Sequence, residues 1–284
     1  MKKSILLACF ALSVASAFAS SVDSTYAPHI EGVLRAKYEY NESLNENRFQ
    51  VRNARFSIKG NFSSLVSYKA EIDLSDEGVT KMLDAYLKFQ PQNWFAFTIG
   101  QQKIPFSTDN LRSPYLLYFA NRSFIGKQLT GLRDVGATFA FNLRKSIPMD
   151  LIAGVYNGTG LYNQQDWRKA NELSYVMRMV LNPVDNVNLT ANFNSVSPYD
   201  LRMNMFNFGG YVDLNQLHIE SEYFYKTYAH DVFDPTSGFF VFGAYDIATP
   251  KWGYIHKITP LLRYDMMTAN NKGAALADGS YATD

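Results

Sequence analysis

Residues 66–75 read Val-Ser-Tyr-Lys-Ala-Glu-Ile-Asp-Leu-Ser, and this alternation predicts an extended strand with two unlike faces. One face is apolar and consists of Val66, Tyr68, Ala70, Ile72 and Leu74. The other face carries Lys69, Glu71 and Asp73, which are too many charges for the inside of a small sandwich. Such a strand suits a wide aqueous lumen whose outer surface contacts lipid. Repeated along an exported chain, the pattern predicts a transmembrane antiparallel β-barrel.

Residues 1–19 predict an export signal. Lys2 and Lys3 form a positive n-region, residues 5–14 are a short apolar stretch, and Ala17-Phe18-Ala19 is a small-x-small cleavage site. Cleavage is therefore expected after Ala19, because the apolar stretch is too short to remain as a transmembrane helix. We expect the protein to reach the outer membrane of a Gram-negative bacterium.

Cys9 is the single cysteine of the chain. A lipoprotein signal at this cysteine is an alternative, but the residue lies too close to the two lysines to leave a full apolar segment. After cleavage no cysteine remains for a disulfide, a thiol nucleophile or a cysteine metal site. Residues 20–284 are expected to form one barrel domain, and no cofactor is expected.

Composition favours the same class of protein. Aromatic residues make up 15% of the chain, with 19 Tyr and 21 Phe, and membrane barrels concentrate such residues in girdles at both interfaces. The formal charge is +1, and removal of the two signal lysines changes it to −1. Any preference for anions must therefore come from local charge placement, and a nucleic-acid partner is not expected.

Thirteen segments read as strands separated by turn residues. They are residues 30–40, 48–60, 66–75, 82–90, 93–102, 133–142, 149–157, 172–181, 186–194, 205–214, 216–226, 238–247 and 254–266. Bacterial single-chain barrels use an even number of strands, and residues 273–284 read as a loop rather than a last strand. We therefore expect 16 strands in the complete protein, three of which are missing from this chain.

The longest interruption of the alternation runs from residue 103 to residue 132. Ser113-Pro114 within it resembles the start of a helix. Residues 103–134 contain five cationic and two acidic residues, which are Lys103, Arg112, Arg122, Lys127 and Arg133, and Asp109 and Asp134. The segment is either a large external loop or a loop folded into the pore, and its charge favours the second interpretation.

Several short stretches resemble the phosphate-selective porin O and P family. They are Ala-Glu-Ile-Asp-Leu-Ser-Asp-Glu-Gly at 70–78, Lys-Met-Leu-Asp-Ala-Tyr-Leu at 81–87, Ile-Gly-Gln-Gln-Lys-Ile-Pro-Phe-Ser at 99–107, Phe-Ala-Asn-Arg-Ser-Phe at 119–124, Gly-Leu-Arg-Asp-Val-Gly at 131–136 and Tyr-Asn-Gly at 156–158. The resemblance covers most of residues 28–160. It implies a 16-stranded trimeric porin whose third loop folds inward and whose lumen, lined by arginine and lysine, carries anions.

One feature departs from the family pattern, in which two adjacent arginines begin the second strand. The matching positions here are Arg52 and Asn53, so only one of the two charges is kept, which argues against strict phosphate selectivity. Phe49 and Val51 face outward by parity, but so does Phe56 further along the strand. The parity changes near residues 52–53, which predicts a bulge that lets both residues face the lumen.

The candidate constriction residues are Arg52, Asn53, Arg112, Arg122, Lys127 and Arg133. Candidates for the lumen wall are Arg35, Lys37, Lys69, Glu71 and Asp73. Cationic rings select anions through charge-assisted hydrogen bonds. The alternative is structural, because several of these cations could instead form salt bridges to Asp109, Asp134 or Glu71. The wall residues could equally form a mixed, solvated surface.

Three functions compete. The first is passive diffusion of small hydrophilic solutes, biased to anions such as phosphate or polyphosphate. The second is a non-conducting barrel that acts as a surface anchor or ligand-binding protein. An enzyme is the third and is disfavoured, because no motif places a nucleophile beside His218. The expected partners are outer-membrane lipid, small anions and, by resemblance, two further copies in a homotrimer.

Overall fold

An antiparallel sheet of thirteen strands dominates the computed structural model. The structure describes residues 27–42, 44–76, 79–129, 133–145, 147–158, 172–197, 201–252 and 255–269. The predicted signal peptide and residues 273–284 lie outside these ranges. None of the helices in the described ranges is long and apolar enough to cross a membrane.

The strands follow one another in chain order. They are β1 His29–Asn41, β2 Glu46–Asn61, β3 Val66–Asp76, β4 Val79–Gln92, β5 Phe95–Lys103, β6 Arg133–Asn142, β7 Met149–Tyr156, β8 Ser174–Val184, β9 Val187–Val196, β10 Met203–Leu214, β11 Leu217–Tyr228, β12 Thr236–Tyr245, β13 Ile247–Trp252, β14 Ile255–Ile258 and β15 Leu261–Met267. The helices α1 (Thr108–Leu111) and α2 (Phe124–Leu129) lie between β5 and β6. Each strand from β1 to β11 pairs with the next one, β12 pairs with β15, and β13 with β14 forms a separate hairpin.

Alternation along each strand separates an apolar outer face from a polar inner face, as predicted. On the outer face Ile30, Phe49, Phe56 and Leu262 are each more than half exposed, as residues in contact with lipid would be. Neighbouring strands add cross-strand aromatic pairs on this face, such as Phe97 with Phe139 at 5.1 Å between ring centroids. The predicted all-β membrane-barrel fold is confirmed.

The strand prediction is wrong near residue 254. The single strand expected at 254–266 is two strands, β14 and β15, separated by Thr259 and Pro260, and β13 was not expected. Pro260 has no backbone N–H to donate to a ladder, which favours the break between the two strands at this position. The residues just before β15 therefore fold back on β13 instead of extending the main sheet.

The predicted bulge lies at Arg52. In the pairing of β1 with β2, Arg35 is opposite Asn53 whereas Ala36 is opposite Val51, so Arg52 has no partner residue. An extra residue of this kind bends the strand and shifts the alternation of its side chains. The parity change read from the sequence is therefore confirmed.

The segment between β5 and β6 folds into the interior. Residues 104–129, called the inward loop below, pack against the inner face of β8–β12. An apolar cluster joins loop and wall and includes Ile104, Phe106, Ile125, Val176, Met205, Phe224, Phe240 and Phe242. Burial of this apolar surface favours the docked position of the loop. One side of the lumen is thus filled, and the open space lies on the other side.

Candidate pore constriction

A cavity of about 750 Å³ separates the inward loop from the inner face of the early strands. The loop contributes the uncharged residues Pro105, Leu111, Ser113, Pro114 and Tyr115. The charged lining residues are Glu31, Arg55, Lys59, Lys69, Glu71, Asp84, Lys88, Lys103 and Arg133. Six of them are basic and three are acidic, so by residue type the lining has a formal excess of three positive charges.

Arg133 lines this cavity and is bonded to two carboxylates. Its Nε donates to Asp84 Oδ1 at 2.9 Å, and its Nη2 lies 3.9 Å from Glu71 Oε1. Lys69 Nζ contacts the same two carboxylates, at 2.6 Å from Glu71 and 2.7 Å from Asp84. Cations and carboxylates therefore alternate from β3 to β6.

Arg55 extends this network to β2. Its Nε donates to Asp73 Oδ2 at 2.8 Å, and its Nη1 lies 3.4 Å from Glu71 Oε1. Asp73 also accepts from the Ser75 hydroxyl at 2.6 Å. Lys69, Glu71 and Asp73 thus belong to a mixed charged wall, in which Arg55, Lys69 and Arg133 each have an anionic neighbour.

Arg112 lies on the far side of the inward loop, away from the cavity. Its two terminal nitrogens donate to the Glu220 carboxylate of β11 at 3.1 and 2.5 Å, and its guanidinium lies 5.3 Å from the Tyr118 ring centroid. Burial by itself would lower the pKa of Arg112, but the hydrogen bonds and charge of Glu220 outweigh it and raise the pKa. Arg112 therefore fastens the loop to the wall.

Arg122 donates to backbone carbonyls of the inward loop. Its guanidinium bonds the Asp109 carbonyl and, at 2.5 Å, the Arg112 carbonyl, while Lys103 Nζ donates to the Asn110 carbonyl at 2.8 Å. These carbonyls belong to the end of α1, where a helix leaves acceptors without helical partners. Burial lowers the pKa of Arg122 to about 10.

Among the other candidates, Asn53 and Arg35 lie on the inner face. Arg35 Nη2 donates to the Ala120 carbonyl at 3.0 Å, and Asn53 Nδ2 donates to Asp73 at 3.4 Å. Lys37 is buried and forms an ion pair with Glu39.

Arg52 and Lys127 remain predictions as constriction residues. Arg52 makes no hydrogen bond or ion pair to any residue that the structure describes. Lys127 belongs to α2, but its side chain lies outside the described part of the chain.

Sequence reasoning missed a row of polar side chains that crosses β8 to β11 on the inner face. Arg178 Nη1 donates to Asn192 Oδ1 at 2.8 Å, and Asn192 Nδ2 donates to Asn207 Oδ1 at 2.5 Å. Asn207 Nδ2 in turn donates to Glu222 Oε2 at 2.9 Å. We call these four residues the cross-strand relay.

Both ends of the cross-strand relay hold the inward loop. Arg178 Nη2 donates to the Thr108 hydroxyl at 3.1 Å, and the Asp109 backbone N–H donates to Glu222 Oε1 at 2.8 Å. The first turn of α1 is therefore bonded to β8 and β11 at once. Inward parity identifies Arg178 and Glu222 as lumen residues, but nothing in the sequence pairs them with residues 108 and 109.

A second attachment involves the two outermost strands of the sheet. Arg263 of β15 donates to the Asn121 carbonyl at 3.1 Å and to the Arg122 carbonyl at 3.2 Å. Arg35 of β1 bonds the preceding carbonyl, that of Ala120. Strands at opposite edges of the sheet thus hold consecutive residues of the inward loop.

An antiparallel sheet with an apolar exterior, a charged interior and a loop that narrows the lumen defines an outer-membrane porin. The chain matches the family phosphate-selective porin O and P over residues 32–191, which is more than half of its length. The chain therefore belongs to that family, and the family prediction is confirmed.

Solved structures show the same fold at low sequence identity. The outer-membrane expressed OmpT of Vibrio cholerae is 12% identical with a TM-score of 0.58, and the match covers 89% of this chain and 79% of that one. The anion-selective porin from Comamonas acidovorans is 9% identical with a TM-score of 0.59, and the match covers 84% and 78%. Curated proteins gave no match.

Proposed function

We propose that the protein mediates passive diffusion of small hydrophilic solutes across the outer membrane, with a bias to anions such as phosphate or polyphosphate. The observation that carries this proposal is the excess of three positive charges in the cavity lining. A permeating anion exchanges part of its hydration for interactions with such cations. Membership of the phosphate-selective porin O and P family and the fold shared with an anion-selective porin support the same bias.

Reconstitution in planar lipid bilayers tests the proposal. We expect discrete conductance steps and, in a potassium chloride gradient, a reversal potential of the sign for anion preference. Discrete steps with cation preference would contradict the anion bias. A barrel that inserts but gives no steps would support the alternative function, a surface anchor or ligand-binding protein.

We further propose that the protein is exported by residues 1–19, sits in outer-membrane lipid and assembles as a homotrimer. The trimer rests on the family resemblance. Gel electrophoresis of unheated and heated samples tests it, since a detergent-resistant trimer migrates as a heat-modifiable band. A single monomer band at every temperature would contradict the trimer.

A further inference from the structure

Lys88 differs from four other cations that line the cavity. Arg55, Lys69 and Arg133 share carboxylates, and Lys59 forms an ion pair with Glu31. Lys88 lines the same cavity, yet it makes no ion pair or hydrogen bond to any residue in the described ranges. Its charge is therefore one that no neighbouring carboxylate compensates.

Two threonine hydroxyl groups lie next to Lys88 on the neighbouring strands of the sheet. Lys88 of β4 is opposite Thr98 of β5, and Thr98 is opposite Thr138 of β6. Directly paired residues on one face lie about 5 Å apart, so the three side chains form a continuous row. Both threonines line the cavity and are largely buried, with relative exposures of 9% and 6%, and neither hydroxyl has a hydrogen-bond partner among the described residues.

Small residues leave this row open. On the same face of β5, Thr98 is flanked by Ala96 and Gly100, and on β6 Thr138 is flanked by Gly136 and Ala140. Gly100 has a φ of +130°, and a Cβ there would lie 2.3 Å from the Ala85 carbonyl oxygen, so a larger residue is excluded. Long side chains therefore do not rise from these positions to cover the hydroxyls.

From these observations we propose that Lys88, Thr98 and Thr138 form an oxyanion-binding site inside the channel. This site deepens the proposed function and rests on it. An ammonium group and two hydroxyls offer several donors in a line, which suits a ligand with several acceptor oxygens, such as phosphate, better than a halide with one centre. Oxyanions pausing at this row would transiently exclude chloride from the cavity.

Block of chloride current by inorganic phosphate tests the site in the full-length channel. We expect phosphate to reduce the wild-type chloride conductance. Lys88→Gln should raise the half-blocking phosphate concentration about ten- to hundredfold, because a charge-assisted hydrogen bond is lost. Thr98→Val and Thr138→Val, which keep side-chain shape, should each raise it several-fold.

Lys59→Gln is the matched control, since it removes a cation of the same cavity that is already paired with Glu31. We expect it to change the half-blocking concentration less than threefold. Equal effects of Lys59→Gln and Lys88→Gln would overturn the site, because block would then depend on the total charge of the cavity. Unchanged block in Lys88→Gln and in both valine variants would also overturn it. The proposed function fails separately, if the wild-type channel itself shows no anion preference.

Discussion

Arg133 and Arg112 are both bonded to carboxylates, yet they face opposite sides of the inward loop. Arg133 lines the open cavity, whereas Arg112 is bonded to Glu220 behind the loop. A charge affects a permeating ion according to its distance and to the dielectric between them. The two arginines, indistinguishable in the sequence, therefore have different consequences for transport.

Arg133→Gln should weaken anion preference. Two unit charges about 8 Å apart interact by about 2 kcal/mol at an effective dielectric constant of about 20, so the anion-to-cation permeability ratio should fall by up to about thirtyfold. Reversal potentials in a salt gradient measure this ratio. Arg144→Gln is the control, because Arg144 is likewise paired with a carboxylate, Asp150 at 2.5 Å, but is exposed in a short turn and does not line the cavity. Equal shifts in both variants would mean that the residues that select anions do not line the cavity.

Period-two alternation made the strands predictable, because it places each side chain on one face of a pleated sheet. The bulge at Arg52 followed from the same parity. The partners of the cations could not be predicted, since they depend on which strands meet across space. Arg112 and Glu220 are 108 residues apart in the chain, and no local pattern relates them.

At the scale of structural elements, the inward loop is positioned by polar contacts as well as by apolar packing. The cross-strand relay joins four strands and bonds Thr108 and Asp109 at its two ends. Its central amides, Asn192 and Asn207, are buried, so the loss of one leaves a buried polar atom of the other without its hydrogen bond. The position of the loop, and with it the width of the cavity, depends on a row of residues that does not line the cavity.

Asn192→Leu should therefore loosen the inward loop without unfolding the barrel. We expect open-channel current noise and brief closures to increase, because Arg178 and Asn207 lose their common partner. Single-channel recording measures this change. Asn188→Leu is the matched control, because Asn188 lies on the same face of β9 and its amide donates to Asn182 at 2.8 Å. Asn188 makes no hydrogen bond to the described residues of the inward loop. Similar noise in both variants would contradict the role of the cross-strand relay.

For the whole molecule, stability depends on which side of the wall a side chain faces. Phe139 and Ala140 are neighbours on β6, yet Phe139 is 41% exposed on the outer surface and Ala140 lines the cavity. Lipid cannot solvate a charge, whereas the water of the lumen can. A single step along the chain thus changes the solvent that a substitution meets.

Phe139→Arg should lower the free energy of unfolding in lipid vesicles by about 2–4 kcal/mol, and Ala140→Arg should lower it by less than about 1 kcal/mol. Urea unfolding followed by tryptophan fluorescence measures both. Equal destabilisation would contradict the prediction that Phe139 contacts lipid and Ala140 contacts water.

The hydrogen bonds from Arg35 and Arg263 to consecutive carbonyls have a consequence for the order of folding. Arg263 and Asn121 are separated by 142 residues, and Arg35 and Ala120 by 85. Contacts of such long range form late, since the entropy of closing the intervening chain must first be overcome. Most of the sheet must therefore assemble before the segment at 120–122 is secured from both edges. We therefore expect the channel to reach its final diameter late in folding.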